Sequence, residues 1–180
     1  MPASEVLHAD AIAGAIRDLA DAVVREHPAG QPLNVVGIRT RGETLAARLR
    51  TLLAEAEIEV RTGTVDITLY RDDLSEIGPV PLVRPSDLDI EVDGIPMLLV
   101  DDVIYTGRSI RAALEAITHF GRPAYIRLAV LIDRGGRELP IHPDYIGRIL
   151  DVPRGARVNV RLREDDGRDA VELVGAEGGS

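Results

Sequence analysis

The chain has 180 residues, and all 21 of its basic side chains are arginine, set against 30 Asp and Glu for a net charge of -9. With no lysine, cysteine or tryptophan, it cannot build a Walker-type phosphate loop, a Schiff base, a thiol nucleophile, a disulfide or a cysteine-ligated metal site. What remains is chemistry done with carboxylates, hydroxyls, guanidinium groups and backbone N–H groups.

Length and a 45% apolar fraction suggest one globular domain over residues 1–180, with 1–10 and 175–180 frayed. The first residues lack a basic n-region and Glu5 and Asp10 interrupt them, so a signal peptide is not expected. The apolar run Ile95–Val100 is too short to span a bilayer. A cytoplasmic protein without a membrane partner is the expectation. Ile12, Ala15, Ile16, Leu19, Ala22 and Val23 recur at helical spacing and predict an amphipathic helix over 11–26. Pro28, Gly30 and Pro32 break it, and Leu33–Ile38 reads as a buried strand. Arg39-Thr40-Arg41-Gly42 follows, then a helix carrying Leu45, Leu49, Leu52 and Leu53. Val65, Ile67 and Leu69 alternate with polar residues, which predicts a half-buried strand. Residues 71–94 read as a long loop, and loops of that length are usually functional or disordered.

Met97–Val100 predicts a strand, Asp101 to Ser109 a turn, and Ile110, Ala113, Leu114 and Ile117 a helix that Gly121 and Pro123 stop. Tyr125–Ile132 is another buried strand and ends in Asp133-Arg134-Gly135-Gly136-Arg137. Val158 to Val174 reads as a hairpin turning at Asp165-Asp166-Gly167. The alternation predicts an α/β fold, with a mainly parallel twisted sheet flanked by helices and a C-terminal hairpin. In such sheets ligands bind beyond the carboxyl ends of the strands, where three loops here mix glycine with arginine.

The richest of these loops runs from Asp101 to Ser109. Thr106-Gly107-Arg108-Ser109 lies where strand gives way to helix, so unpaired N–H groups and the positive dipole end are offered to an anion. Gly107 allows close backbone approach, and the Thr106 and Ser109 hydroxyls can donate to phosphate oxygens. Asp101 and Asp102 would repel that phosphate. They suit vicinal sugar hydroxyls or a magnesium ion a few ångströms away. A phosphorylated ribose satisfies both halves of the motif.

MLLVDDVIYTGRS resembles the phosphoribosyl-diphosphate (PRPP) signature of type I phosphoribosyltransferases, and VVGIRTRG resembles their pyrophosphate loop. DITLYRDDLSEIG and AVLIDRGGRELPI extend the likeness to the pyrimidine operon attenuator family, regulators with uracil phosphoribosyltransferase activity. The resemblance implies that uracil and PRPP give UMP and diphosphate with Mg2+. By position it implies that Asp101 and Asp102 hold the ribose hydroxyls and lie near the magnesium. Thr106, Gly107, Arg108 and Ser109 would bind the 5′-phosphate, Val103, Ile104 and Tyr105 would complete the PRPP- and UMP-binding stretch, and Thr40, Arg41 and Gly42 would bind pyrophosphate. Tyr70 would begin a mobile cover loop from which Arg71 reaches the departing pyrophosphate. Arg41, Asp101, Asp102 and Arg71 form the implied catalytic set. Purine enzymes with this signature commonly carry aspartate where Tyr105 stands, which favours a pyrimidine, with Asp133 and Arg134 at the base end.

The family also binds leader mRNA of the pyrimidine operon when UMP or UTP is present, attenuating transcription. On a chain of net charge -9, RNA binding needs a clustered basic face. Arg17, Arg137, Arg148 and Arg154 are the candidates, although Asp18, Asp21, Gly136 and His142 stand where relatives carry other residues. The alternative is a nucleotide sensor or phosphoribosyltransferase without RNA-binding regulation. The family resemblance also suggests a homodimer or higher homo-oligomer.

Overall fold

The computed structural model describes residues 3–68 and 86–175. Strand β1 (Ser4–His8) leads directly into helix α1 (Ala9–Glu26), followed by β2 (Leu33–Ile38), α2 (Arg41–Glu55) and β3 (Val60–Val65). After the loop come β4 (Met97–Ile104), α3 (Arg108–Thr118), β5 (Ile126–Asp133) and β6 (Tyr145–Ile149). The chain finishes with β7 (Arg157–Arg161), the short helix α4 (Arg163–Asp166) and β8 (Ala170–Val174).

Five strands form a wholly parallel sheet in the order β3-β2-β4-β5-β6. Its central strands are apolar on both faces because helices cover both. Val35, Leu98, Val100, Ala129 and Leu131 pack under α1 and α2, against Ile12, Leu19, Leu45, Leu49 and Leu53. Val36, Leu99 and Val130 point the other way, onto Ile110, Ala113 and Ile117 of α3. The α/β class read from the sequence is borne out.

A second sheet caps the first, in the antiparallel order β1-β8-β7. The predicted hairpin is therefore present, but its strands are joined by a helical turn rather than a tight one. The expectation of a frayed N-terminus does not hold for residues 4–10, which form β1 and the start of α1. Ser4 pairs with Leu173 and His8 with Ala170, so the N-terminal segment supplies the third strand that a marginal two-stranded hairpin requires. Val160, Leu162 and Val171 of this cap join the core beneath α1 and α2.

The strand predicted from Val65 onward lies earlier, at Val60–Val65. It stops there because the Asp66 carboxylate accepts the Thr68 N–H at 2.9 Å and its hydroxyl at 2.6 Å, a local turn that competes with the ladder. The end of the 71–94 segment is also more ordered than a loose loop. Asp87 pairs with Thr64 through two backbone hydrogen bonds, and Leu88 and Val92 are buried. The proposed cover, from Tyr70 and Arg71 through residue 81, lies outside the described residues.

Candidate active site

In the strand order β3-β2-β4-β5-β6, β2 has β3 on one side and β4 on the other, so the connections diverge between β2 and β4. Crevices at such switch points are where open α/β sheets bind ligands. The two loops opening there are Arg39–Gly42 and the end of β4 running into Thr106-Gly107.

Glycine makes this meeting possible. A Cβ on Gly42 would lie 2.5 Å from the Val100 carbonyl oxygen, and one on Gly37 would strike the Gly42–Glu43 backbone. The pyrophosphate-type loop can thus lie directly on the ends of β2 and β4. The Arg39–Thr40 peptide within it is cis.

β4 carries its ladder through the acidic pair before ending at Ile104. Asp101 is buried and Asp102 half-buried. The Asp101 carboxylate accepts the Asp102 N–H at 2.9 Å, and the Asp102 carboxylate accepts the Val103 N–H at 2.9 Å. Burial, and then repulsion from Asp102, pushes the Asp101 carboxyl well above the usual carboxylate range. Burial also raises Asp102, opposed by its hydrogen bond with Asp101, the Val103 N–H and the Arg41 charge. Two carboxylates held close, with no guanidinium hydrogen-bonded to either among the described residues, are poised to receive hydroxyl donors or a cation.

Gly107 caps α3 with φ +90°, a left-handed conformation that favours glycine. The Thr106 hydroxyl accepts the Arg108 N–H at 3.3 Å, and the Thr106 carbonyl accepts from Glu138 and Leu139. The loop after β5 therefore buttresses the phosphate-type turn, and Arg108 reaches Glu138 at 2.9 Å. Ser109 is exposed in the first turn of α3.

Arg41 opens α2 and meets the cap. Its Nε and Nη2 grip both oxygens of Asp166 at 3.2 and 2.8 Å. A cavity of about 180 Å³ is lined by Arg41, Asp102, Val158, Asn159, Val160 and Arg161. β7 thus forms one wall, and the fold brings the predicted Arg41 and Asp102 to the same space. Asn159 and Arg161 are site-lining residues that the hairpin alternation hid, because a polar-out strand reads the same over solvent as over a cavity. Arg161 is more than a solvated sheet residue, since it bonds Asp166 and Glu172, both at 3.3 Å.

The base-end candidates gather in the loop after β5. The Arg134 guanidinium lies 4.0 Å from the centroid of the Tyr105 ring and donates to the Ala156 carbonyl at 2.9 Å. A Cβ on Gly136, whose φ is +75°, would strike that ring. The Asp133 carboxylate turns inward, accepting from Gly135 N–H at 2.9 Å and Arg137 at 2.7 Å. Burial favours its neutral form, but the Arg137 and Gly135 hydrogen bonds prevail and hold it below the usual carboxylate range.

Arg137 corrects one expectation. It does not face outward toward RNA, because its three nitrogens are taken by Asp133 and by the carbonyls of Tyr105 and Ile141. Arg17 and Arg154 are exposed. Arg148 lies across α1, donating to Asp18 at 3.0 Å. That pairing reduces the positive charge this patch can offer.

Such an arrangement, with an acidic pair and a glycine-bordered arginine loop at the switch point of a parallel sheet, is the architecture of a phosphoribosyltransferase. The profile of the phosphoribosyl transferase domain family matches residues 2–157. The hypoxanthine phosphoribosyltransferase of Trypanosoma cruzi shares the fold, with a TM-score of 0.72 and 22% identity over 96% of each chain. The protein from Deinococcus radiodurans named "Bifunctional protein PyrR" is 45% identical over 98% of this chain and 97% of its own length. A Roseiflexus protein of the same name is 48% identical over 97% and 96%. The chain belongs to the phosphoribosyltransferase family and, within it, to the PyrR family.

Proposed function

We propose that the protein transfers the phosphoribosyl group of PRPP to uracil, giving UMP and diphosphate, and that UMP or UTP in the same site promotes binding of a pyrimidine-operon leader mRNA to attenuate transcription. The observation that carries the catalytic half is the cavity at the β2–β4 switch point, with Arg41 on one side and Asp102 on the other. Membership of a family whose relatives are called bifunctional supports the second half.

The bond from ribose C1′ to the diphosphate oxygen breaks, the bond to uracil N1 forms, and the N1 proton of uracil passes to solvent. Positive character grows on the ribose while negative charge moves to the diphosphate, so positioned charges do most of the work. Asp101 and Asp102 accept the ribose hydroxyls. Thr106 to Ser109, with the N-terminus of α3, hold the 5′-phosphate, and Thr40, Arg41 and Gly42 hold the diphosphate. Val103, Ile104 and Tyr105 line the ribose-phosphate between them, and Arg134 on the Tyr105 ring marks the base end beside Asp133. Water must be kept from the activated ribose, which it would otherwise hydrolyse.

Among the described residues no three carboxylate or imidazole side chains are placed to hold a metal ion together. The donor set is an adjacent aspartate pair, which fits an Mg2+ ion that arrives bound to PRPP rather than a resident ion in a protein cage. When bound, such an ion neutralises charge on the departing diphosphate. Both sheets act as one domain, and copies of the chain associate as a homodimer or larger. No helix among the described residues is long and apolar enough to cross a membrane.

Assaying uracil, hypoxanthine, guanine and orotate with PRPP tests the catalytic half. Diphosphate release with uracil is expected, and wild-type protein inert toward all four bases would sink it. For regulation, UMP should strengthen binding to a leader hairpin through the exposed Arg17 and Arg154, with the half-buried Arg148 beside Asp18 a further candidate. Affinity should fall with salt at a slope near about -0.7 per contacted phosphate on single strands. Equal binding to a scrambled RNA would reject this half.

A further inference from the structure

Arg41 is the residue on which the proposed diphosphate site turns, yet its orientation is set from another sheet. Asp166, at the end of α4 in the cap, meets it oxygen for nitrogen: Nε donates to one carboxylate oxygen at 3.2 Å and Nη2 to the other at 2.8 Å. A fork of this kind fixes both the plane and the direction of the guanidinium. The third nitrogen, Nη1, has no acceptor among the described residues. Asp166 is itself held from two further sides, by the Leu162 N–H at 2.9 Å and by Arg161 at 3.3 Å. Only 11% of its side chain is exposed, against 33% for Arg41.

A neighbouring pair shows what a purely structural link in this cap looks like. Arg48, two turns along α2, is clamped by Asp169 at 2.7 Å and also bonded to Glu164. Arg48 does not line the cavity, whereas Arg41 and Arg161 do. The same hairpin thus docks on Arg48 and, through Asp165 at 2.7 Å, on the Thr44 hydroxyl, neither of which lines the cavity, as well as on Arg41, which does.

We infer that Asp166 is a positioning residue for the reaction: it locks the guanidinium plane of Arg41 so that Nη1 faces the diphosphate, while Arg161, sharing the same carboxylate, adds a second cation at the cavity wall. This rests on the proposed role of Arg41 in holding diphosphate. Without the fork, Arg41 would sample several rotamers, and each binding event would have to order it again.

The test is magnesium–pyrophosphate affinity measured by calorimetry, well below the melting temperature, beside steady-state kinetics with uracil. Asp166→Asn should weaken pyrophosphate roughly 10- to 100-fold, the range that misplacing a positioned group can cost. It should also raise KM for PRPP. Asp166→Glu keeps the charge on a longer arm and should recover part of the loss. In an Arg41→Ala background, Asp166→Asn should cost far less than in wild type, because its main effect acts through Arg41 and only the contact with Arg161 remains to be lost. Asp169→Asn, which loosens the docking contact on Arg48, should lower thermal stability and leave pyrophosphate affinity as in wild type. If Asp166→Asn binds pyrophosphate like wild type, or its loss simply adds to that of Arg41→Ala, the inference is overturned while the role of Arg41 stands. If wild-type protein does not bind pyrophosphate, the proposed role of Arg41 fails, and the inference with it.

Discussion

Asp101 and Asp102 stand side by side at the end of a buried strand, and in the ligand-free protein their charges oppose one another. Burial favours the protonated form of both carboxyls, and repulsion from Asp102 adds to the effect on Asp101. Groups whose carboxyl is raised on folding lend stability at low pH and lose it as pH rises through the folded value. Replacing Asp102 with Asn should therefore stabilise the ligand-free protein while abolishing turnover with uracil. If the relief is about 1 kcal/mol, the melting temperature rises by about 2–4 °C at pH 7, with a smaller gain at pH 4; calorimetry and the transferase assay read both. Asp166 behaves in the opposite sense. Its hydrogen bond with Arg41 pulls its carboxyl down to about 2 from 3.8, so its contribution is complete above about pH 4 and disappears as pH falls through about 2. Asp166→Asn should melt below wild type at pH 7, and the two curves should converge between about pH 4 and 2.

At the scale of elements, close approach decides what the site tolerates. Gly42→Ala puts a methyl 2.5 Å from the Val100 carbonyl, which must push α2 off β4. Overpacking of this kind costs on the order of 1–3 kcal/mol, and a fall in both thermal stability and transferase rate is expected, read by melting and diphosphate release. The loop after β5 makes a gentler case. Gly136→Ala meets the Tyr105 ring, so it should lift that ring from Arg134 and raise KM for the base more than KM for PRPP. Much of this was legible in the sequence. The parallel order follows from strands alternating with helices, and the DDVIYTGRS turn falls at the junction of β4 and α3, where apolar run and helical period meet. What was not legible arises from contacts between distant segments. Nothing local in SEVLH marks a strand, because its partner is β8, over 160 residues away. Nor does REDD reveal that a turn of three acids sits against Arg41 and Arg48 of α2. Tyr145–Ile149 escaped notice for a related reason: it is a short edge strand whose Gly147 is explained only by the Leu131 carbonyl packed against it.

For the whole molecule, the absence of lysine places every cation on a planar, permanently charged group. Many are consumed internally: Arg137 in the loop after β5, and Arg41, Arg48, Arg161 and Arg168 in pairs that bind the cap to α2 and to itself. An RNA surface must be assembled from those left outside. Arg17→Glu with Arg154→Glu should abolish UMP-enhanced hairpin binding in a filter or mobility assay and leave kcat with uracil within about twofold, since exposed substitutions remote from a site change little. Loss of turnover together with RNA binding would argue that the two activities share residues.

The cap sheet has a further consequence for how the chain is threaded. Because β1 lies antiparallel beside β8, with Ser4 opposite Leu173, the start of β1 and the end of β8 lie side by side at one end of that sheet. A short glycine-rich bridge from residue 175 to residue 3 would close the backbone into a ring. New ends could then be opened between β6 and β7, near Arg154. Such a circular permutant should still fold and turn over substrate, because no paired strand is cut. Opening the ring between β1 and α1 instead would leave the cap's outer strand tethered only through the bridge.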